Sequence, residues 1–149
     1  MAAVLFVCLG NICRSPMAEG ILRSRSEAAG WLIDSAGTAG HHAGERADPR
    51  TETVLRRHGQ QFTHAARAVT AEDFSRFEVL LAMDGDNLAD LRRRCPPAFQ
   101  GKLVLALDPL GGGDVPDPYY GGSDGFDRVH EMLTRAVDVW IGRWASAPD

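Results

Sequence analysis

Cys8 and Arg14 lie six positions apart in the stretch Val7-Cys8-Leu9-Gly10-Asn11-Ile12-Cys13-Arg14-Ser15-Pro16, so a thiolate and a guanidinium can converge on one anion. A thiolate is a nucleophile. A guanidinium is a planar fork that fits two phosphate oxygens and opposes the negative charge of a phosphoryl group in transit. The residues between them suit a loop that turns its amides inward, because Gly10 and Asn11 are the types that tolerate positive φ most easily. Ser15 followed by Pro16 reads as an N-cap with proline in the first helical position, and the Ser15 hydroxyl can also donate toward the Cys8 sulfur. Unpaired N–H groups at a helix N-terminus and a neighbouring arginine both favour the charged form of a thiol. The spacing alone is weak evidence in a chain rich in arginine; its place between a strand and a helix gives it meaning.

A second reactive group is Asp117 in Asp117-Pro118-Tyr119-Tyr120. A carboxylic acid there can protonate a departing oxygen and then, as carboxylate, deprotonate an attacking water. Tyr119 and Tyr120 are suited to stacking on an aromatic ring. The same residues also read simply as a turn starter followed by loop anchors.

The elements that must position these groups alternate along the chain. Ala2 to Val7 is an apolar run that reads as a buried strand, and residues 16 to 29 read as a helix with Met17, Ile21, Leu22 and Ala28 on its apolar face, ended by Gly30. Trp31 to Asp34 reads as a short second strand opening into a Gly-rich loop from Ser35 to His42. Asp48-Pro49 starts a helix that runs to about His58, and Thr70 to Asp73 resembles a capping box opening a short helix. Glu78 to Met83 is the third strand. Asp84 caps a helix that Pro96-Pro97 terminates, and Lys102 to Leu107 is the fourth strand. After a long Gly/Pro loop, Asp108 to Gly122, Ser123 caps a final helix with a stripe at Phe126, Val129, Leu133, Ala136, Val137, Trp140, Ile141 and Trp144. Such alternation implies an α/β fold, a single domain over residues 1–149 with a four-stranded parallel sheet, expected in the order 2-1-3-4, and helices on both faces. Loops at the carboxyl ends of such strands carry ligands, so the second strand's loop and the Asp117 loop are expected to rim one site.

Composition bounds the partners. The 149 residues are 44% hydrophobic and 24% charged, ordinary for a globular domain with a good-sized core. A net charge of -4 argues against nucleic acid or an anionic membrane as the main partner, so an anionic substrate must be drawn by a local field. No apolar run approaches the roughly 20 residues of a membrane span, and no signal segment is evident, which makes the cytoplasm the expected location. Three cysteines do not make a secreted disulfide framework.

The opening CLGNICRSPMAEG and the later VPDPYYG resemble the low-molecular-weight protein tyrosine phosphatases. The likeness extends to Asp34-Ser35-Ala36-Gly37-Thr38, Asp48-Pro49-Arg50, His58-Gly59, His64-Ala65-Ala66-Arg67, Asp73-Phe74 and Met83-Asp84 with Asn87-Leu88, covering nearly the whole chain. The resemblance implies a four-stranded parallel sheet flanked by helices. It implies Cys8 as the nucleophile that becomes a cysteinyl-phosphate, Arg14 as phosphate clamp, and Asp117 as general acid and then base. Ser15 would assist the thiolate as a leaving group, Asn11 would hold the loop, and Glu19, Ser35 and His64 would form a supporting network. Leu9, Gly10, Asn11, Ile12, Cys13, Ser15, His41, Tyr119 and Tyr120 are the expected substrate-binding residues.

The implied partners are phosphotyrosine-containing proteins or peptides, with phosphate and other oxyanions as product or inhibitor, acting on a monomer without metal or cofactor. His41 stands where the family often has Trp or Tyr. Ile12 stands where relatives acting on phosphoarginine tend to carry Thr, and favours an aryl phosphate. Cys13 has two readings, a small core residue or the partner of Cys8 in a reversible disulfide, while Cys95 reads as a helix-end residue.

Other features read as structure. Arg92-Arg93-Arg94 is expected to be a solvated helix end, His41-His42 lacks ligand-spaced partners for a metal, and no Gly-Lys-Ser/Thr loop supports nucleotide hydrolysis. A thiol-dependent arsenate reductase shares this loop and fold but uses two later cysteines close together, and only Cys95 remains here. A non-catalytic phosphotyrosine reader needs neither nucleophile nor acid.

Overall fold

A computed structural model describes residues 2–146. Strand β1, Ala3–Cys8, is apolar on both sides, as a strand covered on both faces must be. It pairs in parallel with β2, Leu32–Gly37, and with β3, Val79–Ala82, while β4, Leu103–Leu105, adds to the far side of β3. The order is therefore β2-β1-β3-β4, as expected from the sequence.

The pleat sorts β1 between two cores. Val4, Phe6 and Cys8 point into one cluster with Met17, Ile21 and Leu22 of α1, Arg14–Arg23, with Val54 and Leu55 of α2, Pro49–Arg57, and with the stripe of α5, Asp124–Ala145. Leu5 and Val7 point into the other, with Phe74 of α3, Ala71–Arg76, and Leu88 and Leu91 of α4, Gly85–Arg94. Helices thus cover both faces. The α5 stripe is buried from Phe126 to Ile141, and burial of Phe126 alone contributes roughly 1.5–3 kcal/mol. Trp140 stacks on the half-buried Trp144 and donates its indole N–H to the Ala106 carbonyl at 2.9 Å, so its one polar atom is satisfied.

The start signals at Asp48, Thr70 and Asp84 hold. Asp48 accepts the Arg50 amide at 2.8 Å, Asp73 accepts the Thr70 amide at 2.8 Å, and Asp84 accepts the Asn87 amide at 2.8 Å. Several boundaries differ. Helix α1 begins at Arg14 with Cys13 in the N-cap position, because the Ser15 hydroxyl is engaged at the Cys8 sulfur and not in capping. It stops at Arg23, where Ser24 Oγ donates to the Ile21 carbonyl at 2.6 Å and the chain tightens into a 3₁₀ turn, Ser26–Ala28, before Gly30 turns it with φ 83°.

Strand β2 starts at Leu32 and continues through Ser35, Ala36 and Gly37, which were expected in a loop; they pair with Phe6, Val7 and Cys8. A side chain at Gly37 would lie 2.7 Å from the Leu9 carbonyl, so only glycine lets these backbones approach. Strand β4 is shorter than expected because Lys102 closes a 3₁₀ helix, Pro97–Lys102, and Ala106-Leu107 lead into another 3₁₀ turn, Asp108–Leu110. Ser123 precedes α5 without a side-chain cap bond.

One core group has a pH signature. His130 of α5 is buried, its Nε2 lies 2.7 Å from Gln60 Oε1, and its ring stacks on His58 at 4.0 Å. An amide oxygen only accepts, so Nε2 carries the proton of a neutral ring. Burial, and then the nearby His58, push its pKa from the ordinary 6.5 to about 4. Between those values the unfolded chain binds a proton that the folded protein refuses, so stability is lost as pH falls through this window. The expected slope is about 1.4 kcal/mol per pH unit, toward about 3 kcal/mol in total. Urea unfolding at pH 7 and at pH 4.5 checks this. His130→Gln should lose clearly less stability on acidification than the parent, and equal losses would refute the assignment.

Candidate active site

The loop from Leu9 to Cys13 leaves the carboxyl end of β1 and enters α1. Asn11 alone of the described non-glycine residues has positive φ, at 59°. Gly10 does not; its lack of a side chain serves space instead, since a Cβ there would fall 2.9 Å from His42 Cδ2. Among the described residues, the backbone N–H groups of Leu9, Gly10, Ile12 and Cys13 donate to no protein acceptor. Together with the unpaired first amides of α1 they form a cluster of donors suited to an anion.

The Asn11 side chain fixes the direction of every bond around it. Its Nδ2 donates to Ser15 Oγ at 2.8 Å and to Ser35 Oγ at 3.0 Å, which uses both amide protons. That leaves the Ser15 hydroxyl proton free to donate to Cys8 Sγ, 3.0 Å away, the direction a thiolate requires, and the sulfur also accepts from the Asn11 backbone N–H at 3.3 Å. Ser35 donates in turn to Glu19 Oε1 at 2.6 Å, and Arg23 Nε holds Glu19 Oε2 at 2.7 Å. Burial outweighs these bonds and raises the Glu19 carboxyl above the usual range. His64 Nε2 donates to the Asn11 carbonyl at 2.7 Å, and its Nδ1 lies 3.9 Å from Glu19 Oε1. The fold thus brings Asn11, Ser15, Glu19, Ser35 and His64 together. Asn11 and Ser15 are fully buried, so their side chains lie behind the cleft and brace its floor.

Arg14 is buried as well. Its Nη1 donates to Asp84 Oδ2 at 2.7 Å and to the Val115 carbonyl at 2.9 Å, while Nε and Nη2 make no protein hydrogen bond among the described residues. Asp84 thereby acts twice, one oxygen capping α4 and the other gripping Arg14 from behind. Asp117 Oδ2 stands 3.8 Å from Arg14 Nη2, and its other oxygen accepts the Tyr119 amide at 3.1 Å.

One cleft is lined by Cys8, Leu9, Gly10, Ile12, Cys13, Arg14, His41, His42, Asp117, Tyr119 and Tyr120. Three of the four exposed large hydrophobic side chains among the described residues, Leu9, Tyr119 and Tyr120, rim its mouth, so an apolar entrance leads to a polar floor. All three cysteines are free. Burial, and then the Asp48 carboxylate, push the Cys13 thiol well above its ordinary range, which keeps it protonated. Cys95 is buried at the end of α4 and donates to the Pro96 carbonyl at 3.4 Å.

Several functional contacts have no local sequence signal. Arg67 donates its backbone N–H to Asn11 Oδ1 at 3.0 Å while its guanidinium bridges Asp34 and Asp73, tying β2 and α3 to the loop. His42, held by Glu45 at 2.9 Å, packs on Gly10 beside the exposed His41. Arg94 is not merely solvated, since it donates to the carbonyls of Thr38 and Val69.

The family model for low molecular weight phosphotyrosine protein phosphatase matches residues 3–146. A low molecular weight protein-tyrosine-phosphatase of Streptomyces coelicolor is 52% identical over 143 residues, covering 89% of this chain and 87% of that one. A protein tyrosine phosphatase of Entamoeba histolytica, crystallised with Hepes in its active site, superposes with a TM-score of 0.90 at 38% identity over 97% of each chain. The YwlE arginine phosphatase of Geobacillus stearothermophilus superposes with a TM-score of 0.89 at 26% identity, over 97% of this chain and 93% of that one.

Proposed function

The chain belongs to the low molecular weight phosphotyrosine protein phosphatase family, and from that premise we propose that it hydrolyses phosphotyrosine in proteins, and small aryl phosphates, through a cysteinyl-phosphate on Cys8. The observation that carries this reading is the convergence of Cys8, Arg14 and Asp117 on one cleft with an apolar mouth. The phosphate sits on the free loop amides, with Arg14 clamping two of its oxygens. The Cys8 thiolate attacks phosphorus. The bond from phosphorus to the aryl oxygen breaks, and Asp117 gives that oxygen a proton so that a neutral phenol departs.

In the second step the Asp117 carboxylate takes a proton from water, the oxygen attacks phosphorus, and the S–P bond breaks to return the thiolate. The Ser15 hydroxyl, already aimed at Sγ, steadies the sulfur as it leaves. The aromatic ring passes between Leu9, Tyr119 and Tyr120. Phosphoserine is too short to bring its phosphorus from that rim to the floor, and Ile12 suits a ring better than a guanidinium. Arg14 and the amides supply the positive field that a metal otherwise would. We propose the same reading for its setting, a monomer in the reducing cytoplasm where Cys8 stays a free thiol; among the described residues no helix is long and apolar enough to cross a membrane.

The test is turnover in EDTA. p-Nitrophenyl phosphate and a phosphotyrosine peptide are expected to be hydrolysed, with inorganic phosphate a competitive inhibitor, and phosphoserine and phosphoarginine to be at least about 100-fold poorer substrates. Absence of aryl phosphatase activity, or activity that depends on added divalent metal, would overturn the proposal.

A further inference from the structure

Asp117 rides on a segment that is loosely tied. Gly111, Gly112 and Gly113, with φ of 97°, 88° and 93°, precede it, and Gly121-Gly122 follow it. Val115 is fixed, because its N–H donates to the Met83 carbonyl and its own carbonyl accepts from Arg14. From Pro116 to Gly122, however, apart from the Gly122 carbonyl, which accepts the Gly125 N–H at the start of α5, the hydrogen bonds to other parts of the fold, among the described residues, all come from one side chain. Arg50 Nη2 donates to the Tyr119 carbonyl at 3.0 Å and Nη1 donates to the Gly121 carbonyl at 3.2 Å. The guanidinium also lies over the Phe126 ring at 4.4 Å.

The other edge of Arg50 faces the nucleophile's loop. Nε and Nη2 grip the two oxygens of Asp48, each at 3.0 Å, and the Asp48 backbone N–H donates to the Ile12 carbonyl at 2.8 Å. Burial works against the Asp48 carboxylate, but its bonds from Arg50 win and hold it below the ordinary carboxylate range, which favours the ion pair. Only a planar fork can hold a carboxylate on one edge and two carbonyls on the other.

We propose that Arg50 is the positioning residue of the acid step: a clasp that, braced by Asp48 on the nucleophile's loop, holds the 116–122 segment so that Asp117 stands over Cys8. This rests on the reading of Asp117 as general acid. Arg50 itself does not line the cleft, and it acts through the loop backbone.

The test compares two esters and two backgrounds. In Arg50→Ala, kcat/KM, which reports only the first step, is expected to fall about 10- to 100-fold for phenyl phosphate, whose poor leaving group needs a proton, and by less than about threefold for p-nitrophenyl phosphate. In Asp117→Ala the same substitution should change the phenyl phosphate rate by less than about twofold, because there is no acid left to position. Arg50→Lys, which keeps the charge and loses the fork, should resemble Arg50→Ala. Inhibition by inorganic phosphate should be the same in Arg50→Ala and Arg50→Lys as in the parent.

A readout independent of catalysis completes it. Chymotrypsin cleavage after Tyr119 and Tyr120 should accelerate at least about tenfold in Arg50→Ala. Equal losses for both esters, a loss that persists without Asp117, full rescue by lysine, or unaltered cleavage would each overturn the clasp. An inactive parent protein would instead refute the phosphatase reading, and the cleavage rates would still decide whether Arg50 holds the loop.

Discussion

Cys8→Ser is expected to lower kcat for aryl phosphates by at least about four orders of magnitude, roughly 5.4 kcal/mol of transition-state stabilisation. The reason is local. The sulfur sits at the focus of two hydrogen bonds, from Asn11 N–H and Ser15 Oγ, beneath a set of amides with no other protein acceptor among the described residues. A serine oxygen there is neutral, a far weaker nucleophile and a poorer leaving group, so both chemical steps suffer. The site should still bind inorganic phosphate, because the amides and Arg14 are untouched, and the melting temperature should stay within a few degrees. Rapid quench after mixing with substrate should trap phosphate on the peptide containing Cys8 in the parent and none in the variant. Retention of more than about a tenth of the parent rate would end the covalent mechanism.

Asp117→Ala is expected to show the second largest effect, about 10²- to 10⁴-fold for phenyl phosphate and phosphotyrosine. For p-nitrophenyl phosphate the loss in the first step should be far smaller, since that phenolate departs without a proton. The base of the second step is lost with the acid of the first, so phosphorylated Cys8 should accumulate with the better substrate. The steepness of the dependence of rate on leaving group is the decisive measurement. If alanine slowed the first step of both esters alike, Asp117 would be a loop anchor through its bond to the Tyr119 amide and nothing more.

What was legible in the sequence was what is written locally. Asp48-Pro49, Thr70 with Asp73, and Asp84 announce helix starts because a cap is made within three residues, and all three appear at those places. The order of the sheet and the wide stripe of α5 were legible for the same kind of reason, since alternation and period are short-range patterns. The ends of elements were less so. Ser35 to Gly37 carry loop-forming residues, yet they extend β2 because β1 offers them a partner, and Ser15 looks like a cap until the Cys8 sulfur claims its hydroxyl.

The hidden part of the site consists of long-range bonds. Arg14 and Asp84 are 70 residues apart, and nothing around Asp84 distinguishes a cap with a second client from a cap alone. Arg67 and Arg50 are two arginines among many; what sets them apart is which carboxylates and carbonyls the fold delivers to them. Gly10 was read as a conformational device and is instead a matter of room for His42.

The two halves of the cleft are built to different degrees of stiffness. The sulfur stands at the end of a strand flanked on both sides, whereas the acid hangs from a glycine-bounded segment tethered at a few points. On the proposed mechanism, descendants of this chain can therefore retune which alcohols depart by drifting in the tethered segment, while the grip on phosphorus, common to every ester they meet, is inherited intact.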